Sequence, residues 1–222
     1  MNAHSSAISF FFILAICLAG CVTQKDTVSW STNPQTGSGY QMEKITILPS
    51  EVPGNFSTTE SRIKNKVEMG DTALALGWET GYIVRYERDN STDSIPTVLS
   101  QTIAVYPPEN MPEIIRLIRS AEKSTQWYLI EDLPDPGLGD RSHASVAYVN
   151  ARQDSVNITG SQDLFAAAQD ALAVSPSQNG QGPAYYEIYF TKGSLLEVLR
   201  YNGPEADYDT LLNLSRLAYR KL

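Results

Sequence analysis

Along this chain, apolar residues alternate with polar ones in some stretches and recur every three or four residues in others. In Gly81–Arg88, Tyr82, Val84 and Tyr86 fall on one side and Ile83, Arg85 and Glu87 on the other. A period of two reads as a half-buried strand. Thr97–Pro107 reads as its antiparallel partner, closed by two prolines, with the polar turn DNSTDS between them. Pro112–Ser124 changes rhythm: Ile114, Leu117, Ile118 and Ala121 share a helical face, and Pro112 suits a first turn, where its missing N–H costs nothing. Trp127–Asp132 and His143–Ala151 read as two further strands around LPDPGLGDRS, a run of turn formers. Ser161–Ala173 reads as a short helix capped by Ser161, and Ser175–Pro183 as a loop. Ala184–Tyr201 reads as a hairpin about Lys192-Gly193, since glycine takes the positive φ of a tight turn. Pro204–Leu222 predicts a closing helix, with Glu205, Asp207 and Asp209 at its start and Arg216, Arg220 and Lys221 at its finish, as its dipole favours. The front of the body is less regular. Lys44–Leu48 reads as a short β-like run, Ser57–Asp71 as irregular or partly helical, and Thr72–Trp78 as a strand.

Strand pairs with short connections, interrupted by helices, predict an antiparallel sheet. Apolar residues occupy both of its faces: Tyr186, Ile188 and Phe190 line one side of a strand, and Leu196 and Val198 stand opposite Leu195 and Leu199 on the next. A sheet with oil on both faces needs cover on both. The expected class is therefore α+β, an antiparallel β-sheet covered by helices on both faces.

Ahead of this body, Ala7–Ala19 is a run of thirteen apolar or small residues without a charge. As a helix it spans about 20 Å, too short for a bilayer core of about 30 Å, and it suits the apolar region of a secretory signal. It ends at Leu18-Ala19-Gly20-Cys21 and turns polar at once. Those four residues resemble the lipobox of prokaryotic lipoproteins; Met1–Phe10 departs from the pattern in having no Lys or Arg. The resemblance implies cleavage between Gly20 and Cys21 and a lipid on the Cys21 sulfur. A two-chain anchor holds a membrane firmly. The expected organisation is a signal peptide over residues 1–20, a lipidated Cys21 with a polar tether over 21–43, and one domain over 44–222. The meandering strands, the GLGDRSHASVAY turn, the YFTKGSLLEVLRY hairpin and the closing DTLLNLSRLAYRKL helix are similar at fold level to the PsbP-like α/β/α sandwich. Members of that fold commonly serve as accessory or assembly modules, which implies the same here by analogy.

A net charge of −8 without a basic stripe argues against a nucleic-acid partner. The only cysteines are Cys17 and Cys21, so the body beyond the leader holds neither disulfide nor thiolate metal site. Asn55, Asn90, Asn157 and Asn213 begin N-x-[ST] sequons; the first three are candidate glycan acceptors, and Asn213 falls in the closing helix.

Catalytic signals are sparse. His143 is the one histidine of the body, and Ser142 beside it points to the other side of a strand. Glu131, Asp132, Asp135 and Asp140 gather around a loop, but in no cation-binding spacing. No phosphate loop or dinucleotide fingerprint occurs, so no catalytic residue, metal or cofactor is expected. Tyr185, Tyr189 and Tyr201 allow two readings, a surface for a partner or amphipathic residues at the sheet–helix seam. The sequence thus predicts a membrane-anchored, extracytoplasmic lipoprotein acting as a non-enzymatic binding or assembly module for a protein partner. An extracytoplasmic hydrolase using carboxylates, or a small-molecule carrier, stands as the alternative.

Overall fold

The structure is a computed structural model; it describes residues 41–88, 96–125, 128–149 and 183–222. The leader, Cys21, the expected 161–173 helix and the sequons at Asn90 and Asn157 lie outside the described residues.

Seven strands form one antiparallel sheet: β1 (Ser57–Lys64), β2 (Thr80–Arg88), β3 (Thr97–Val105), β4 (Tyr128–Asp132), β5 (Arg141–Val149), β6 (Pro183–Lys192) and β7 (Leu195–Asn202). Their order is β1-β2-β3-β7-β6-β5-β4, so β1 and β4 are the edges. Among the described residues the α-helices are α1 (Met42–Ile45), α2 (Asp71–Ala75), α3 (Met111–Ser124) and α4 (Tyr208–Lys221). The α+β class and the antiparallel sheet are as the residue pattern predicts. Asp207 caps α4, its side chain accepting from the Thr210 amide at 2.8 Å.

Two apolar clusters follow the alternation of the strands. On the first face, Tyr82, Val84, Leu99, Ile103, Ile188, Phe190, Leu195 and Leu199 pack with Leu211, Leu214 and Ala218 of α4. On the second, Ala104, Tyr189 and Leu196 pack with Ala73 of α2 and with Met111 and Ile114 of α3.

The front of the body departs from the pattern reading. Lys44–Leu48 is not a strand. Met42–Ile45 make one helical turn, and the chain then crosses the sheet as a strap with a 3-10 turn at Pro49–Glu51; Met42, Ile47, Val52 and Phe56 join the first-face cluster. Met42, two residues before the expected boundary at Lys44, is thus part of the packed body. Ser57–Lys64 is a strand after all; as an edge strand it is largely exposed and shows no apolar alternation. Thr72–Trp78 is not a strand but the short α2, ended at Gly77, whose φ is +80°. The hairpin turn of β6 and β7 falls on Gly193-Ser194, one residue later than expected.

The loop between β4 and β5 is held by its own side chains. Asp135 accepts from the Gly137 amide at 2.9 Å and from the Ser142 hydroxyl. The Asp140 carboxylate accepts from the Gly193 amide at 2.8 Å, which ties this loop to the β6–β7 turn. Gly137 and Gly139 both have φ of +65°, but a Cβ on Gly139 would stand 2.0 Å from the Thr191 carbonyl oxygen, whereas one on Gly137 meets nothing within 4 Å. Gly137→Ala should therefore cost only left-handed backbone strain, about 1–2 kcal/mol. Gly139→Ala adds overpacking to the same strain, for roughly 2–5 kcal/mol in all. Urea unfolding of the two variants measures the gap; equal losses would contradict the close approach.

Candidate functional site

The register of the second face gathers polar residues into a line. Asp132 pairs with Ser145, Ser145 with Glu187, and Glu187 with Arg200. The line continues from Arg200 to Ser100, Arg85 and Glu60, so it crosses all seven strands. Directly paired residues of an antiparallel sheet point to the same side. The line thus runs beside the second apolar cluster, and its central members are buried: Ser100, Ser145, Glu187 and Arg200 are each 5% exposed or less.

Alpha-helix α3 lays its last turns on this line. Glu122 reaches in from α3, and its Oε1 accepts from the Ser145 hydroxyl at 3.1 Å. Its Oε2 stands 3.8 Å from His143 Nε2, and Asp132 Oδ1 stands 3.3 Å from the same nitrogen. Arg119, one turn earlier on α3, reaches Asp132 at 3.3 Å. Glu187 accepts from Arg200 Nε at 2.7 Å and from its Nη2. The guanidinium lies 4.4 Å from the centre of the Tyr185 ring, which itself meets Tyr128 edge-on at 5.3 Å. The His143 and Tyr189 rings stand 5.2 Å apart.

Burial sets the protonation of this seam. It pushes the Glu122 carboxyl up to about 8, and the Glu187 charge beside it adds to the rise. Burial also holds the His143 imidazole below its ordinary range, helped by Arg119 and opposed by Asp132 and Glu187. At neutral pH the seam therefore holds a protonated Glu122 and a neutral His143 beside the Glu187–Arg200 pair. A second neutral acid lies on the first face: burial raises Glu197 to about 8, and Gln101 Nε2 donates to its Oε1 at 2.5 Å.

These positions answer the sequence-derived candidates one by one. Tyr185, Tyr189 and Tyr201 are 8%, 1% and 3% exposed, so none offers a surface to a partner. Nor do they share a face: Tyr201 packs in the first cluster and Tyr189 in the second. All three are packed inside the two faces of the sheet. Ser142 turns away from His143 to Asp135 and the Leu138 amide. The loop carboxylates disperse, with Asp135 and Asp140 closing turns and Asp132 facing His143. Among the described residues no group of three His, Cys, Asp or Glu side chains could hold a metal ion. Asn55 is exposed, at the junction of the strap and β1. The seam itself escaped the sequence. Glu122 reads as a polar helix residue and Glu187 as one polar residue in a strand; only cross-strand register brings them together. The one available signal was Glu187 lying in phase with Tyr185 and Tyr189 in an otherwise apolar strand.

Chemically, the seam stores a proton rather than delivering one. The two raised carboxyls, Glu122 and Glu197, lie on opposite faces and cannot flank one bond. Glu122 and Glu187 do share a face, but their side chains are 6% and 5% exposed, which leaves a substrate no approach.

No family model matches this chain, and no curated protein does. Among solved structures, the crystal structure of the extracellular domain of PknH from Mycobacterium tuberculosis matches 81% of this chain and 93% of that one, at 6% identity and a TM-score of 0.48. A likeness of that size carries no argument about function. No helix among the described residues is long and apolar enough to cross a membrane.

The proton on Glu122 has a measurable consequence. Its pKa is raised on folding from 4.5 to about 8, so between those values the folded chain holds a proton that the unfolded chain has lost. The stabilisation is complete below pH 4.5 and is gone above pH 8. Glu122→Gln removes this dependence, while Glu197 and His143 act alike in both proteins. The stability of the variant relative to wild type, from urea midpoints, should rise from pH 5 to pH 8 and then level. A difference that stays constant with pH would contradict the buried neutral acid.

Proposed function

We propose that this chain is a lipid-anchored, extracytoplasmic module without enzymatic activity, which binds a protein partner or steadies a membrane assembly. The observation that carries the reading is Leu18-Ala19-Gly20-Cys21 directly after an uncharged apolar run of signal-peptide length. In this reading residues 1–20 are removed, Cys21 carries the lipid, and the chain between Cys21 and the packed Met42 serves as a tether. The body is an α/β/α sandwich of PsbP-like kind. Support for the sandwich comes from the two apolar clusters, one shared with α4 and the other with α2 and α3. The use of the buried acids within the seam favours a module over a hydrolase. The partner would bind one exposed sheet edge or the loops at 132–143 and 175–183. Asn55, exposed beside β1, is the described position where a glycan fits.

Intact mass of the membrane-extracted protein, compared with a Cys21→Ala variant, tests the anchor. The mature wild-type chain should begin at Cys21 and carry the added mass of a lipid, and the variant should keep residues 1–20. A wild-type chain that retains residues 1–20 with a bare thiol would overturn the reading. Proteins that co-purify with the tethered form, and resist a wash at high salt, would identify the partner.

A further inference from the structure

The strap fixes where the tether leaves the body. Lys221 Nζ, in the last turn of α4, donates to the Thr46 carbonyl at 2.8 Å and pairs with Glu51 at 2.5 Å. Alpha1 packs against α4. The chain before Gln41 therefore joins the body beside the C-terminal end of α4.

Cations from three elements gather at this corner. Arg216 and Arg220 are exposed, one turn apart on α4, with Lys221 next to them. Lys44 is exposed on α1, two residues before the strap carbonyl that Lys221 holds. Lys192, exposed at the β6–β7 turn, has its Nζ 5.1 Å from the centre of the Tyr219 ring of α4. The acids at this corner are Glu43, Glu51, which is paired with Lys221, and Asp140, which is held by the Gly193 amide. A helix dipole explains Arg220 and Lys221. It does not explain Lys44 or Lys192, which come from other elements. The whole chain carries −8, so the corner is a basic spot on an acidic molecule.

We propose that this corner is the face turned toward the membrane, and that its partner is the layer of anionic lipid headgroups around the anchor. The proposal rests on the lipid-anchored reading. A tether of about 20 residues reaches roughly 25 Å, which keeps the corner close to the headgroups at high effective concentration. Exposed cations are drawn to an anionic surface within about a Debye length, and the acidic remainder of the body is repelled from it. Attraction at one corner and repulsion elsewhere orient the body, where the tether alone would leave it free to turn.

The test uses the full lipidated chain in vesicles of phosphatidylcholine, with or without about a third of phosphatidylglycerol. A membrane-impermeant amine reagent and mass spectrometry report the reactivity of each lysine. In anionic vesicles at low salt, Lys44 and Lys192 should lose about threefold or more of their labelling, and about 0.5 M salt should restore it. Lys123, on α3, should not change. The exposed pair Arg216→Glu and Arg220→Glu should abolish the dependence on lipid composition. Labelling that is the same in both kinds of vesicle, while the chain still floats with them in high salt, overturns the basic corner and leaves the anchor standing. A chain that leaves both kinds of vesicle in high salt has no lipid anchor, and the proposal falls with it.

Discussion

The amide of Ile47 donates into the middle of the sheet. Its acceptor is Gln101 Oε1 at 2.9 Å, and the other end of that side chain donates to Glu197. On the opposite side of the same peptide unit's residue, the Tyr86 hydroxyl donates to the Ile47 carbonyl. Ile47 is fully buried. A buried backbone group without a partner costs about 1–3 kcal/mol, so the strap can lie against the sheet only because side chains from β2 and β3 replace the ladder it lacks. Gln101 serves both partners because its amide carries an acceptor and a donor, and burial raises Glu197 to about 8, which spares this interior an unpaired charge. A short polar relay thus joins the strap to the centre of the fold.

The two faces of the sheet manage their buried polar groups differently. On the first face, the relay fixes the strap, and Lys221 clamps it against α4. On the second, the cross-strand line of Asp132, Ser145, Glu187 and Arg200 locks neighbouring strands in register, and α3 adds Glu122 to it. A slip of one residue would send those charges to the other face, into the apolar cluster around Ile188 and Leu199. The seam is therefore read best as a device for register and for holding α3, and its burial is what makes it unsuited to turnover.

Much of this architecture was legible in the residue pattern, for physical reasons that also explain the failures. The strands β2, β3, β6 and β7 lie in the middle of the sheet, where both faces are buried and every side chain records its surroundings. Helix α3 kept its 3.6-residue rhythm because it packs through one stripe. By contrast β1 is an edge strand with Ser, Thr, Glu, Arg and Lys at most positions, and burial left no mark on it. Thr72–Trp78 is apolar enough for a strand, yet Gly77 turns the chain after a single short helix. The strap looked like a strand because Ile45, Ile47 and Leu48 are β-branched or apolar; its partners proved to be side chains. The seam was hidden more deeply, since Glu122, His143, Glu187 and Arg200 come from four elements and meet only through register.

The central claim is that the strap belongs to the core and so fixes where the chain leaves the body. Native-state hydrogen exchange at the Ile47 amide tests it most directly. If the relay through Gln101 and Glu197 holds the strap, Ile47 should exchange only through global opening, at the same free energy as the amides of Ile188 and Leu199 in the central strands. An Ile47 amide that exchanges through local fraying, orders of magnitude faster than those two, would contradict the account.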